Sequence, residues 1–588
     1  MTTSSHTFAN EDQLPRVPVP TLTQTCQRFL EWSAPLLTDE QRATTERAVA
    51  EFLAPESPAH ELQAALESYD RRAGVASWLD DFWAYRYLGR RDRIALNANF
   101  FFLFRDSGED QVARAAGLVG AAVDYKLRLD DEEIPQVELR GRPQSMVQNK
   151  FLFSSTRIPG AVQDTVRAPY SADHPGPASA SHIVVFHRST PYRLDVLDPD
   201  GRLYDHEDLA GALRTIMKTG AALDDPSAAP GHLTTMARAD WAASRQALLD
   251  GGPGNAAALE EIETALFCLC LEDVSPAGTQ EACDQLLHGD SGNRWFDKSF
   301  SLIVFADGTA GINVEHCKLD GTTILSFVDA LLGASPVRPT TRGLPEITPV
   351  ELALDDALRG TARAAAESFA DYARATATRT VSFADFGSTR AKQLGMSPDA
   401  FVQLAYQLAH RRAKGMTGAT YESIATRQYR HGRTEAMRVV TPEALTFVSI
   451  MDDPAADRAA RRAAFEAAAA AHVARAKECQ AGDAPEQHLW ELQLMAQRTG
   501  IAEPTALYES PGWLVMRDDY LSTSSAPSRN IQFFGFGSTS PQCIGVAYVL
   551  LPDHLNLYLS TPSHVAGQMH DFARELTAAM AELQALLT

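Results

Sequence analysis

The chain has 588 residues, 45% of them apolar and 22% charged, the composition of a globular protein too long for a single core. With 53 basic against 75 acidic residues its net charge is −22, which disfavours nucleic acid and anionic membranes as partners and means that an anionic ligand must be met by local basic groups. Seven scattered cysteines with no CxxC pair, no secretory or transit pattern at the start, no peroxisomal ending and no apolar run near the ~18–20 residues of a membrane span together fit a reducing cytoplasm.

Residues 1–13 read as disordered, and Leu14-Pro15-Arg16-Val17-Pro18-Val19-Pro20 as a stiff extended entry to helices at 21–33 and 39–52. The stretch from Trp78 to Leu88 is an aromatic helix face that reads as core, and 110–127 is a further helix. Strands are expected at 151–155, 182–186 and 192–197, the last closed by Asp198-Pro199-Asp200-Gly201. Pro- and Gly-rich linkers are expected at 219–232 and 333–349. The second of these is taken as the main domain boundary, and Cys268 and Cys270, alternating in an apolar run, as core.

The segment from Asn293 to Gly321 carries the densest chemistry. Phe300–Phe305 and Gly311–Val314 read as two strands around an Asp307-Gly308 turn, and the second strand delivers Glu315-His316. A histidine at the end of a rigid strand is placed to act as a base. In the spacing His316-x-x-x-Asp320-Gly321, the aspartate is expected to hold the local backbone through a partner cation and the glycine to permit a bend.

In the second half, Ser397-Pro398-Asp399 is a helix start, with Phe401, Leu404, Ala405 and Leu408 on one face. Arg390 and Lys392, in a polar loop just upstream, suit a phosphate. Thr420-Tyr421-Glu422-Ser423, Gly432-Arg433-Thr434-Glu435 and Ser522-Thr523-Ser524 offer hydroxyls on extended segments, which taken singly only satisfy backbone groups. Gln487 reads as a surface amide, and 454–477 as a helix held by alanine propensity. Gly535-x-Gly537 lacks the third glycine of a dinucleotide fingerprint, and Val565, Met569, Phe572, Leu576, Met580, Leu583 and Leu586 form the core stripe of a closing helix.

In their order, the Leu14–Pro20 entry, Arg157-Ile158-Pro159-Gly160, the 293–316 segment, T-Y-E-S, G-R-T-E and S-T-S resemble the choline/carnitine O-acyltransferase family from Leu14 to Leu587. The resemblance implies an α/β fold: two chloramphenicol-acetyltransferase-like domains, at 71–345 and at 1–70 plus 346–588, with an active-site tunnel at their interface. It implies acyl transfer from acyl-CoA to an alcohol, with no metal and no covalent enzyme intermediate. His316 becomes the general base, Ser524 the oxyanion donor and Asp320 a structural support. Lys392, Arg390 and Asp399 become CoA contacts, with Arg390 standing in for a family lysine that is Ser388 here. Tyr421, Thr434, Gln487, Ser522, Phe534, Tyr87 and Trp83 become the acceptor pocket, with Phe534 a face for a cationic group.

Two departures sharpen the substrate. Carnitine users carry an arginine where this chain has Gln487, and an amide cannot pair bidentately with a carboxylate, so the acceptor is expected to be a neutral or cationic alcohol. Gln532 falls where the family sets acyl-pocket depth, so the acyl group is expected to be short or polar. A monomer is expected. A carrier-protein-bound acyl donor, or a non-catalytic relative that kept the tunnel, are the alternative readings.

Overall fold

The computed structural model describes residues 6–220, 223–316, 318–333 and 338–588, and its two compact units are Met1–Glu11, Trp83–Thr376 and Ser528–Gly537 on the one hand, and Asp12–Phe82, Ala377–Pro527 and Ser538–Thr588 on the other. The class is mixed α/β with one large sheet per unit, as the resemblance implied. The first unit runs on to Thr376, past the boundary drawn at 345, and takes in the strand that holds Gln532 and Phe534.

The eight-stranded sheet of the first unit has the order Ile347–Pro349, Thr190–Asp195, His182–His187, Cys268–Leu271, Phe300–Val304, Ala310–Val314, Phe100–Phe104, Ile531–Phe536. Its central strands are apolar at nearly every position and buried throughout, because helices cover both faces. On one face, Phe327 of the helix Gly321–Leu332 meets Phe300 with ring centroids 5.2 Å apart. On the other, Asn313 Nδ2 donates to Leu286 O (2.9 Å) in the helix Thr279–Leu287. Asp307-Gly308 does form the turn between Phe300–Val304 and Ala310–Val314. Gly308 has φ 85°, and a Cβ there would meet Glu109 O, so both conformation and space demand glycine. Cys268 and Cys270 are core, with burial holding both thiols well above their ordinary range.

Several expectations change here. Within 6–13, Thr7 is buried and donates to Ile134 O (2.8 Å), so this part is anchored rather than disordered; residues 1–5 lie outside the described residues. No strand forms at 151–155: Phe151 ends the 3-10 turn Val147–Phe151, 152–155 are irregular, and the strand follows at Thr156–Ile158. In the linker expected at 219–232, residues 221 and 222 are outside the described set, but Pro230–Thr235 is a fully buried turn inside the unit. Of 333–349, residues 334–337 are not described, and Ile347–Pro349 is the edge strand of the sheet.

The second unit has a six-stranded sheet in the order Thr376–Phe383, Leu555–Pro562, Ile544–Leu550, Asp519–Ser525, Ala419–Ala425, Thr434–Arg438. The helices Pro398–Lys414 and Ala566–Leu587 pack on it through Phe401, Leu404, Leu408, Met569, Phe572 and Leu576. Ser397 caps the first of these as expected, accepting from Ala400 N with Pro398 in the first turn. The alanine-rich helix runs Arg458–Gln480.

Buried histidines give this unit an acid lability. His488 is 1% exposed, with Nδ1 2.7 Å from Thr25 Oγ1 and Nε2 2.9 Å from Gln63 Oε1, and burial pushes its pKa down to about 3. Below about pH 6.5 the unfolded chain takes up a proton that the folded ring refuses, so stability is complete above that pH and declines as pH falls toward 3. The loss from this one ring should reach about 2 kcal/mol by pH 5. Melting temperatures at pH 7.5 and pH 5 should show His488→Gln losing less on acidification than the wild type; equal losses would refute the attribution.

Candidate active site

His316 lies two residues beyond Val314, and Glu315 N still donates to Ser299 O (3.0 Å), so the extended backbone persists up to the histidine. Alternation then puts its ring on the same sheet face as Val314 and Phe100, which are register partners. The ring sits between Tyr87, stacked at 4.8 Å and 12°, and Phe100, tilted at 4.8 Å; Trp83 in turn stacks on Tyr87 at 5.9 Å. Nδ1 lies 2.9 Å from Leu319 O. A carbonyl only accepts, so Nδ1 carries the hydrogen, and in the neutral ring the lone pair is on Nε2.

Asp320 sits 4.0 Å from His316 Nδ1 and is held by a neutral amide. Gln148 Nε2 donates to Asp320 Oδ2 (2.9 Å), while Gln148 Oε1 accepts from Asp320 N (2.8 Å) and Thr323 Oγ1 (2.9 Å). Gly321 is simply the first residue of its helix, with open space where a Cβ would stand, so the bend expected of it is not what it provides.

Behind the histidine lies a chain of buried charges. Arg157 Nη1 donates to Glu315 Oε1 (2.9 Å), its Nε to Asp164 Oδ2 (2.6 Å) and its Nη2 to Tyr87 O (2.6 Å). Arg238 Nε reaches Asp164 Oδ2 (2.7 Å) and its Nη2 lies 2.6 Å from Asp297. Burial pushes the Asp164 carboxyl up, but Arg238 and Arg157 outweigh it and hold the group below the usual range. Burial raises Asp297 to about 6.

Phe534 shares the His316 sheet face. Phe534 pairs with Phe102, and Phe536 with Phe100, so Phe100, Phe102, Phe534 and Phe536 make an aromatic row with His316 at one end. Gln532, two residues before Phe534, stands at a register shift of this strand, between Phe533, which pairs with Leu103, and Ile531, which pairs with Phe104; it is half-buried, its Nε2 donating to Phe104 O (2.9 Å). The amide is therefore not buried unpaired, as the sequence argument supposed.

In the second unit, register sorts the hydroxyls onto one face. Tyr421 pairs with Ser522 and with Arg438, and Ser423 with Ala436, so Tyr421, Ser423, Ser522, Ser524 and Thr434 lie on the same side. Ser524 Oγ is 3.2 Å from Ser423 Oγ. Thr523 points the other way, accepting from Gln403 (2.9 Å) and donating to Tyr421 O (2.9 Å), which pins the strand from behind. Gln487 is buried at 1% exposure and not a surface amide. Its Nε2 donates to Thr434 O (2.7 Å), which fixes the amide's orientation and leaves Oε1 buried with no partner among the described residues.

The residues named for CoA are less uniform. Arg390 and Lys392 belong to a short helix, Ser388–Gln393, not a loop. Arg390 Nε reaches Gln584 Oε1 at 3.3 Å, and Lys392 is exposed. Asp399 turns to the far face of the sheet from the hydroxyls: His472 Nε2 is 2.9 Å from its Oδ2, and Tyr548 OH is 2.8 Å from its Oδ1 and 2.6 Å from Glu422 Oε1. Tyr548 thus bridges the two carboxyls, and burial pushes the Glu422 carboxyl well above the usual range. Asp399, Glu422 and His472 place ligand atoms within 4.8 Å of one another, a spacing that a metal ion could also take.

The choline/carnitine O-acyltransferase family model matches residues 17–578. The chain belongs to that family. Carnitine O-palmitoyltransferase 2, mitochondrial, of Mus musculus is 30% identical over 95% of this chain and 89% of its own, and that of Bos taurus is 31% identical over 92% and 87%. Carnitine O-acetyltransferase of Homo sapiens is 29% identical over 100% of this chain and 95% of its own. Among solved structures, a condensation domain of the enacyloxin polyketide synthase is similar over 90% of both chains, at 13% identity and a TM-score of 0.36.

Within this acyltransferase, the sequence reading missed Gln148, the pairing of Ser423 with Ser524 and the Arg157–Asp164–Arg238 chain. Arg157 had a signal, since it opens R-I-P-G; Gln148 had none, standing 172 residues from the aspartate it clamps. Cavities of 430 Å³ around Arg188 and Asp273, 250 Å³ around Arg105 and Arg114, and 660 Å³ around Arg379 and Arg574 are lined by none of the residues given a catalytic, CoA, acceptor or acyl-pocket role from sequence. Among the described residues no helix is long and apolar enough to cross a membrane.

Proposed function

We propose that this acyltransferase moves an acyl group from acyl-CoA to the hydroxyl of a small alcohol, with His316 as general base and Ser524 as oxyanion donor. The observation that carries the reading is the His316 ring itself: Nδ1 is committed to Leu319 O, which orients Nε2 as the basic nitrogen. A thioester is electrophilic, but an alcohol is a poor nucleophile at neutral pH. His316 takes the hydroxyl proton as the oxygen attacks the carbonyl. The tetrahedral oxyanion is met by the Ser524 hydroxyl. The intermediate collapses, the C–S bond breaks, and the imidazolium returns the proton to the leaving thiolate. Asp320 and Gln148 hold the turn that carries the ring.

For the acceptor, the buried and unpartnered Gln487 Oε1 favours an alcohol bearing a hydrogen-bond donor and disfavours a carboxylate. For the donor, the Gln532 amide at the end of the aromatic row favours a short or polar acyl group. Thiol release from a series of acyl-CoA thioesters, offered with cationic, neutral and carboxylate-bearing alcohols, tests all three. The expected result is turnover with short acyl chains and non-carboxylate alcohols, and a gain for carboxylate-bearing alcohols in Gln487→Arg. Turnover with no acceptor, or carnitine as the best acceptor of the unaltered enzyme, would overturn the reading. A carrier-protein-bound thioester is the second reading, favoured by the engagement of Arg390 with Gln584; the same acyl group on CoA and on a carrier separates the two.

A further inference from the structure

Arg157 is 1% exposed, and all three directions of its planar fork are committed. Nη1 holds the carboxylate of Glu315, the residue immediately before His316. Nη2 holds the carbonyl of Tyr87, whose ring lies flat on the His316 ring. Nε holds Asp164, which is also bonded by Arg238, by Arg91 Nη2 (2.9 Å) and by Gly160 N (3.0 Å). The guanidinium therefore joins the strand end that carries the imidazole, just past Ala310–Val314, to the helix Asp80–Leu88, whose Tyr87 stacks on it, and the aspartate behind it fixes the guanidinium in turn.

We propose that Arg157 is a positioning residue for His316, setting the tilt and height of the imidazole through Glu315 on one side and Tyr87 on the other; this rests on the reading of His316 as the base. A buried cation of this kind is costly unless every hydrogen finds an acceptor. A single structural tie would need only one carboxylate. Here the acceptors are a carboxylate next to the base, a carbonyl under the ring that stacks on the base, and a carboxylate shared with a second buried arginine. A lysine carries the same charge but presents one nitrogen and cannot span three acceptors in a plane. Because a misplacement of about 1 Å at a catalytic group costs about 10²-fold in rate, losing either arm acts on turnover before it acts on binding.

The test uses the full chain with Arg157→Lys, and the isosteric Glu315→Gln in case the lysine protein folds poorly. Two measurements are made: steady-state kinetics, and the rate at which diethyl pyrocarbonate modifies His316, followed by mass spectrometry on its peptide with no substrate present. The expected result is kcat lower by about 10- to 100-fold with KM for the acyl donor changed less than threefold, and a modification rate for His316 altered at least fivefold. Millimolar guanidinium should restore part of the activity of Arg157→Ala. Unchanged kcat in both variants while His316→Ala is inactive, or an unchanged modification rate, overturns the positioning role. An altered modification rate in a background where His316→Ala keeps full activity would instead uphold the positioning and refute the base.

Discussion

His316→Ala should lower kcat for acyl transfer by about 10²–10⁴, the range that a positioned general base contributes, with little change in KM for the acyl donor. The size follows from what the ring does and not from what it packs against. It is half-buried, and its loss removes one stacking partner from Tyr87 and Phe100 without opening the apolar core beneath Val314. The melting temperature should therefore move by only a few degrees. His316→Gln refines the test, because an amide can keep a donor near Leu319 O while offering no nitrogen base. Both variants should be equally slow. If His316→Gln retained more than a tenth of wild-type turnover, the ring would be acting by orientation alone, and the general-base assignment would fail.

Motifs with strong local physics were legible in the sequence. The Asp307-Gly308 turn and its flanking strands, the Ser397-Pro398 cap and the amphipathic helices all came out where alternation, turn chemistry and capping put them. So did the position of His316 just past a strand. What failed had no local signal. The 219–232 stretch is rich in proline and glycine, which marks a linker as readily as a buried turn; Gly231 lies against the carbonyls of Ser291, Gly292 and Arg294, and only the fold shows that. The partner of Asp320 could not be read because an amide 172 residues away leaves no trace at the aspartate. Gln487 illustrates the converse. Read locally it is a surface amide, and only its tertiary partner, Thr434 O, shows that one end is tied while the other is buried with no partner among the described residues. Gln532 shows the limit of arguing from one residue: its amide is polar as expected, but it finds the Phe104 carbonyl, so its effect on the acyl group must come from the end of the aromatic row and not from a buried orphan.

Ser524→Ala should reduce kcat by about 10²–10³, as the loss of one oxyanion donor does elsewhere. The pairing on the hydroxyl face gives this prediction its detail. Ser423 Oγ and Ser524 Oγ are 3.2 Å apart, so one hydroxyl hydrogen is spent between them and one remains. If Ser423 donates, the Ser524 hydrogen is directed by that bond and available to an oxyanion, which is the arrangement the mechanism needs. Ser423→Ala should then cost less, about tenfold or below, because it releases the orientation of Ser524 without removing the donor. The double variant should be no slower than Ser524→Ala alone, since the two residues act as one unit. Thr523 must be left intact in these comparisons, because its bonds to Gln403 and Tyr421 O hold the strand. A double variant whose kcat loss equals the product of the two single losses would refute the coupling between the two hydroxyls. The observation that sinks the assignment itself is a Ser524→Ala protein that keeps near-normal kcat, for then the donor to the tetrahedral intermediate is some other group.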